Sequence, residues 1–148
     1  MARASAGSQA SALEAGLRAL RHRDLSAEQL RARLEARAFS AQECEEALET
    51  LARTGVLDDE RFAEGRARSL AGRGAGDALV RHDLQRAGVG SSTVERVVSL
   101  LEPEEKRARA IVERRGAGAR TARYLGAKGF SEDAIGAAVA TSWRDALG

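Results

Sequence analysis

The sequence predicts an all-α protein made of three tandem three-helix repeats, and three observations carry that prediction. Aromatic residues make up 3% of the 148-residue chain and proline appears once, while Ala, Leu, Arg and Glu dominate. With so little Val, Ile, Thr or Tyr, few segments favour a pleated surface. Second, apolar residues recur at helical spacing, as in Leu13, Leu17 and Leu20, or Cys44, Leu48 and Leu51. Third, "LEARAFSAQE" at 34–43, "LQRAGVGSST" at 84–93 and "LGAKGFSEDA" at 125–134 share one pattern.

That pattern extends well beyond the words that reveal it. Shifting the first copy by 50 residues and the second by 41 superposes Leu34, Leu84 and Leu125, and also Phe39, Val89 and Phe130. Cys44, Val94 and Ile135 then coincide, followed by Leu48, Val98 and Val139. Upstream, Leu20, Leu70 and Ile111 fall together, as do Leu17, Ala67 and Ala108. Agreement over so long a stretch marks a repeat. Its borders are read as 11–56, 57–102 and 103–148, preceded by a disordered tail at 1–10.

Each element has its own signal. The predicted helices run 11–22, 27–37 and 41–53, then 58–72, 77–87 and 91–101, then 104–115, 119–127 and 132–145. Ser26 with Gln29 and Ser40 with Glu43 are capping boxes that start the second and third. Asp58, Asp59 and Glu60 put negative charge where the fourth helix begins. Gly74 and Gly76, then Gly116 and Gly118, break the chain where the first repeat has Ser26. Gly88 and Gly129 suit left-handed helix ends; Ala38 holds that place in the first repeat and suits it less. Pro103 sits at the start of the seventh helix, where its missing N–H costs little. A unit of ~40 residues buries too small a core to be secure alone, so neighbouring repeats should support one another.

Several classes of function find no support. One cysteine, Cys44, allows no internal disulfide, and its repeat counterparts Val94 and Ile135 mark it as core rather than nucleophile. His22 and His82 fall at different repeat positions and have no metal-ligand spacing, and His82 reads as a solvated surface group rather than a pH-sensitive one. "GRGAGDAL" at 72–79 lacks the Lys-Ser/Thr of a phosphate loop and follows a helix rather than a strand. No catalytic set, cofactor or metal site is expected, and no stretch approaches the ~20 apolar residues of a membrane span. A cytoplasmic, monomeric, non-enzymatic protein is the expectation. Tyr124, Phe130 and Trp143 are expected in the core.

Charge is unevenly placed although its net is +2. From Glu43 to Glu60 seven acids face one base, Arg53; from Lys106 to Lys128 eight bases face one acid, Glu113. The basic set is Lys106, Arg107, Arg109, Arg114, Arg115, Arg120, Arg123 and Lys128, a candidate face for phosphates or carboxylates. Arg107 and Arg114 should line one flank of the seventh helix and Lys106 and Arg109 the other, around a core of Ala108, Ile111 and Val112. A solvated helix surface is the alternative reading of the same residues. Scarce aromatics disfavour base stacking.

At "GVLDDERFAEGRARSLAGRGAGDALVRHDLQRAGV", residues 55–89, the chain resembles the RecX family of bacterial recombination regulators. Leu57, Asp58, Asp59, Arg61, Phe62 and Ala63 match the first part of the family run, and Arg81, Asp83, Leu84 and Gly88 the second. Asp83 stands where Glu is usual, and Arg86-Ala87 where Lys is common. The resemblance implies that the three repeats form an elongated, curved array. It also implies a regulator that binds the RecA filament on single-stranded DNA and inhibits its ATPase and strand exchange. In that setting the basic third repeat would face acidic RecA surface or DNA phosphates, and the acidic stretch basic recombinase surface. Asp58 and Asp59 could equally be helix caps. Non-specific, weak direct DNA binding is the alternative function, and a plain helical scaffold a third.

Overall fold

Serines and glycines set the helix borders. In the computed structural model, which describes residues 11–148, Ser11, Ser26 and Ser40 each complete a capping box, with Glu14, Gln29 and Glu43. Ser131 caps Ala134 N–H at 3.1 Å. Among the described residues there are nine helices and no strand: α1 (Ala12–His22), α2 (Ala27–Ala36), α3 (Ala41–Arg53), α4 (Asp59–Gly72), α5 (Asp77–Arg86), α6 (Ser91–Ser99), α7 (Glu104–Arg115), α8 (Ala119–Ala127) and α9 (Glu132–Leu147). Most ends lie within one or two residues of those predicted, the usual uncertainty of fraying ends. The tail expected at 1–10 lies outside the described residues.

The middle helix of every repeat ends the same way. Ala38, Gly88 and Gly129 all have positive φ, 68°, 83° and 91°. Ala38 thus takes the conformation that its side chain disfavours. Phe39 and Phe130 N–H then donate back to Leu34 and Leu125 carbonyls, at 3.3 and 3.0 Å. This closes the helix end and turns the large apolar residue inward.

The described residues form two compact units. The first holds residues through Phe62 together with Ala87–Val89. Its core gathers Ala12, Ala15, Leu25, Leu30, Leu34, Cys44, Ala47, Leu48, Leu51 and Leu57. Small residues let α1 approach α3: a Cβ on Gly16 would lie 2.8 Å from Leu51 Cδ1. The second unit holds Ala63–Arg86 and Gly90–Gly148. Val80, Leu84, Val94 and Val97 are buried there, and Ala108, Ile111, Val112, Leu125, Phe130 and Ala138 form a second cluster. Arg66 grips Asp83 through two 2.8 Å bonds, joining α4 to α5.

One docking arrangement occurs in both units. In the first, Ser26 Oγ donates to Ala87 O at 2.5 Å and Ala27 N–H donates to Asp59 Oδ1 at 2.8 Å. In the second, Gly76 N–H donates to Lys128 O at 2.7 Å and Asp77 N–H to Glu104 Oε2 at 2.8 Å. Asp59 and Glu104 are each the first residue of a repeat's first helix, and Ala87 and Lys128 each precede the glycine of a helix-ending turn. So the start of one repeat's middle helix is capped by a carboxylate and a turn carbonyl from the next repeat. In both units the carboxylate satisfies an otherwise orphaned helix N–H and complements the positive end of the dipole, while the turn carbonyl accepts from the Ser26 hydroxyl in one and from Gly76 N–H in the other. The backbones nearly touch: a Cβ on Gly76 would lie 2.5 Å from the Gly129 carbonyl.

Two measurements check this account. Gly76→Ala should lower urea-unfolding stability by ~2 kcal/mol or more through overpacking, and Gly55→Ala, which has φ 81° but open space around it, by only ~1 kcal/mol. Hydrogen bonding from Arg66 holds the Asp83 carboxyl below its ordinary value, so its contribution is complete above about pH 4 and is lost as pH falls through the folded value. Both partners are part-exposed, which limits the pair to ~1 kcal/mol. That gap between wild type and Asp83→Asn should be equal at pH 7 and 5 and should shrink at pH 3.

Candidate anion-binding face on the third repeat

Packing of α7 decides which of its basic residues are free. Ala108, Ile111 and Val112 are buried, as their spacing predicts. Arg107 turns inward and is committed to the fold. Its side chain is only 10% exposed, donates to Glu102 O and Ala75 O at 2.9 Å each, pairs with Asp77, and lies 5.8 Å from the Phe130 ring centroid. It therefore does not share a free flank with Arg114. Lys106 pairs with Glu102 at 3.2 Å, and Arg109 is half-buried.

The rest of the basic set lies on the end of α7 and along α8, with Lys128 as the C-cap of α8. Arg114 and Arg115 close α7, Gly116 breaks it at φ 93°, and α8 starts at Ala119 without a side-chain cap on Gly118. Thr121, buried, donates to Arg115 O at 3.4 Å. The Arg115 guanidinium lies 3.8 Å from the Tyr124 ring centroid, and Lys128 Nζ is 5.9 Å from the same ring. Arg114, Arg115, Arg120 and Arg123 are exposed and make no ion pair among the described residues. Four guanidinium forks without carboxylate partners form a surface suited to phosphate or carboxylate.

The other singled-out residues build the fold. Leu57, Phe62, Ala63 and Leu84 are buried. Asp58 caps α4 through Arg61 N–H at 3.1 Å, and Asp59 caps α2. The Arg61 guanidinium donates to Gly55 O and Val56 O at 3.2 and 2.9 Å, bracing the turn before α4. Arg81 pairs with Glu95 at 2.9 Å, and Gly88 sits against the Glu28 side chain. Burial pushes the Cys44 thiol up, away from nucleophile behaviour. Among the described residues no group of three or more His, Cys, Asp or Glu could hold a metal, and no helix is long and apolar enough to cross a membrane.

The expected core position of Trp143 is corrected: it is 59% exposed. The buried residues of α9 are Ala134 and Ala138, and its final turns continue past them without cover. Phe130 is buried and Tyr124 is half-buried. Sequence reading missed Glu104, whose carboxylate caps α5 and also accepts from Ser131 Oγ at 2.9 Å. Its place at a helix start, matching Asp59, was the available signal.

Residues 58–98 match the family model described as RecX, second three-helix domain. The chain is 34% identical to "Regulatory protein RecX" of Halorhodospira halophila, over 98% of this chain and 96% of that protein. It is 33% identical to the protein of the same name from Trichlorobacter lovleyi, over 82% and 88% of the two chains. Among solved structures, RecX from Lactobacillus salivarius superposes with a TM-score of 0.77 at 16% identity, covering 88% of this chain and 93% of that one. A second RecX crystal structure gives 0.73 at 20% identity, covering 83% and 68%. These structural likenesses establish the fold of tandem three-helix repeats.

Truncation should separate the two kinds of arginine. Arg107→Ala should cost ~2–4 kcal/mol in chemical unfolding, because it leaves Asp77 and two carbonyls without their donor. Arg114→Ala should change stability by no more than ~0.5 kcal/mol.

Proposed function

Because the chain belongs to the RecX family of regulatory proteins, we propose that it is a cytoplasmic, monomeric, non-enzymatic negative regulator of the RecA recombinase. It binds the RecA filament on single-stranded DNA and inhibits ATP hydrolysis and strand exchange. The observation that carries this reading is that Arg114 and Arg115 at the end of α7 and Arg120 and Arg123 on α8 are all exposed and without ion-pair partners among the described residues. A nucleoprotein filament offers a dense array of anions, on phosphate or on acidic protein, to such a surface. We assign the contact to the third repeat, 103–148, with Lys128 at its margin. Repeats 11–56 and 57–102 supply further surface, including the exposed glutamates Glu46 and Glu49 of α3. Several weak contacts on one chain then gain by effective concentration.

Direct DNA binding is a second reading, favoured by Arg115 stacked on Tyr124. With ~4–6 phosphates engaged, log affinity for single strands should fall with log salt at a slope of about −3 to −4. A flat response leaves the recombinase as the target.

RecA's DNA-dependent ATPase rate, measured with and without this protein, tests the main reading. A substoichiometric drop is expected, and no effect at large excess would refute it. Reversing Arg114, Arg115 and Arg120 to Glu should weaken inhibition roughly tenfold or more while circular dichroism stays unchanged. Undiminished inhibition by that variant removes this face from the mechanism.

A further inference from the structure

Far along the sequence from the basic face, the first unit carries a shallow depression of about 430 Å³. It lies where the end of α1 meets the turn that precedes α4, lined by Leu17, Leu20, Val56, Arg21, Arg23, Arg61 and Asp24. The floor is aliphatic. Leu17 and Leu20 are only partly buried, and Val56 is 38% exposed although it is held in place by Arg61 bonding to its carbonyl at 2.9 Å. The rim is cationic. Arg21 and Arg23 are exposed and make no ion pair among the described residues, and Asp24 is the single carboxylate in the lining.

We infer that this depression docks an acidic protein segment, seating one or two aliphatic side chains against Leu17, Leu20 and Val56 while its carboxylates pair with Arg21 and Arg23. Charge complementarity selects the partner. Two unpaired guanidinium forks match carboxylates in bidentate geometry, and the volume is that of a small side-chain site. A nucleic acid fits less well. The lining holds no aromatic ring for base stacking, and its aliphatic floor gives nothing to a sugar–phosphate chain. Arg61 is already occupied by the Gly55 and Val56 carbonyls and lies 3.6 Å from Asp58, so it shapes the floor rather than binding the guest.

The test uses fluorescence anisotropy of a labelled peptide with a Leu-Leu pair flanked by glutamates, against the full chain. Binding should weaken about tenfold in the double variant Arg21→Glu/Arg23→Glu and several-fold in Val56→Ser. It should also weaken when the peptide's glutamates become Gln or its leucines become Ser. The third-repeat variant Arg114→Glu/Arg115→Glu/Arg120→Glu should bind the peptide like wild type, which separates this site from the filament-binding reading. All substitutions are at exposed positions, and circular dichroism confirms the fold. Three results would overturn the inference: no peptide binding by wild type at millimolar concentration, equal binding by the Arg21/Arg23 variant, or displacement of the peptide by a thymidine oligonucleotide whose own binding depends on Arg21 and Arg23.

Discussion

A carboxylate and a peptide carbonyl from the next repeat, laid against the start of a helix, are the contacts on which this architecture depends. Every helix begins with N–H groups that have no partner inside it. At the start of α2 the following repeat supplies Asp59 for Ala27 N–H and Ala87 O for the Ser26 hydroxyl; at the start of α5 it supplies Glu104 for Asp77 N–H and Lys128 O for Gly76 N–H. Modules this small have little hydrophobic core of their own, so a shared polar contact that excludes water adds specificity as well as stability. In the second unit it also requires two glycines, Gly76 and Gly129, because the backbones approach closer than any side chain allows.

This constraint changes what the charges mean. The acidic stretch from Glu43 to Glu60 reads in sequence as a field aimed outward, yet much of it is internal bookkeeping. Asp58 and Asp59 are caps, Glu43 completes a capping box, and Glu45 pairs with Arg31. On the basic side the same sorting takes Arg107 into the fold and leaves Arg114, Arg115, Arg120 and Arg123 facing solvent. A charge count along a chain weighs a buried fork and a free one alike; only packing tells them apart. The free arginines, not the sum, bear on what an anionic filament would meet.

Much of the fold was legible because its signals are local. Serine at 26 and 40, followed by Gln29 and Glu43, announces a helix start through contacts three residues apart. Apolar spacing likewise placed Ala108, Ile111 and Val112 inside. What the sequence concealed depends on distant pairs. Ser26 looked like an ordinary cap, and its hydroxyl's bond to Ala87 spans 61 positions. Arg107 looked like its neighbours until Asp77 and Ala75 came to it from 30 and 32 residues away. Trp143 misled for the opposite reason: its size argues for burial, but nothing among the described residues packs over the last turns of α9.

The direction of these caps has a consequence for biosynthesis. A ribosome delivers the amino end first, so α2 emerges while the groups that complete it are still untranslated. At roughly 5–20 residues per second, Ala87 follows Ser26 by about 3–12 s. During that interval the nascent first module is left with an unfinished helix start, and its closure waits on the arrival of the second. In the first two modules, the polar closure of the middle helix can therefore be completed only after the next module has emerged.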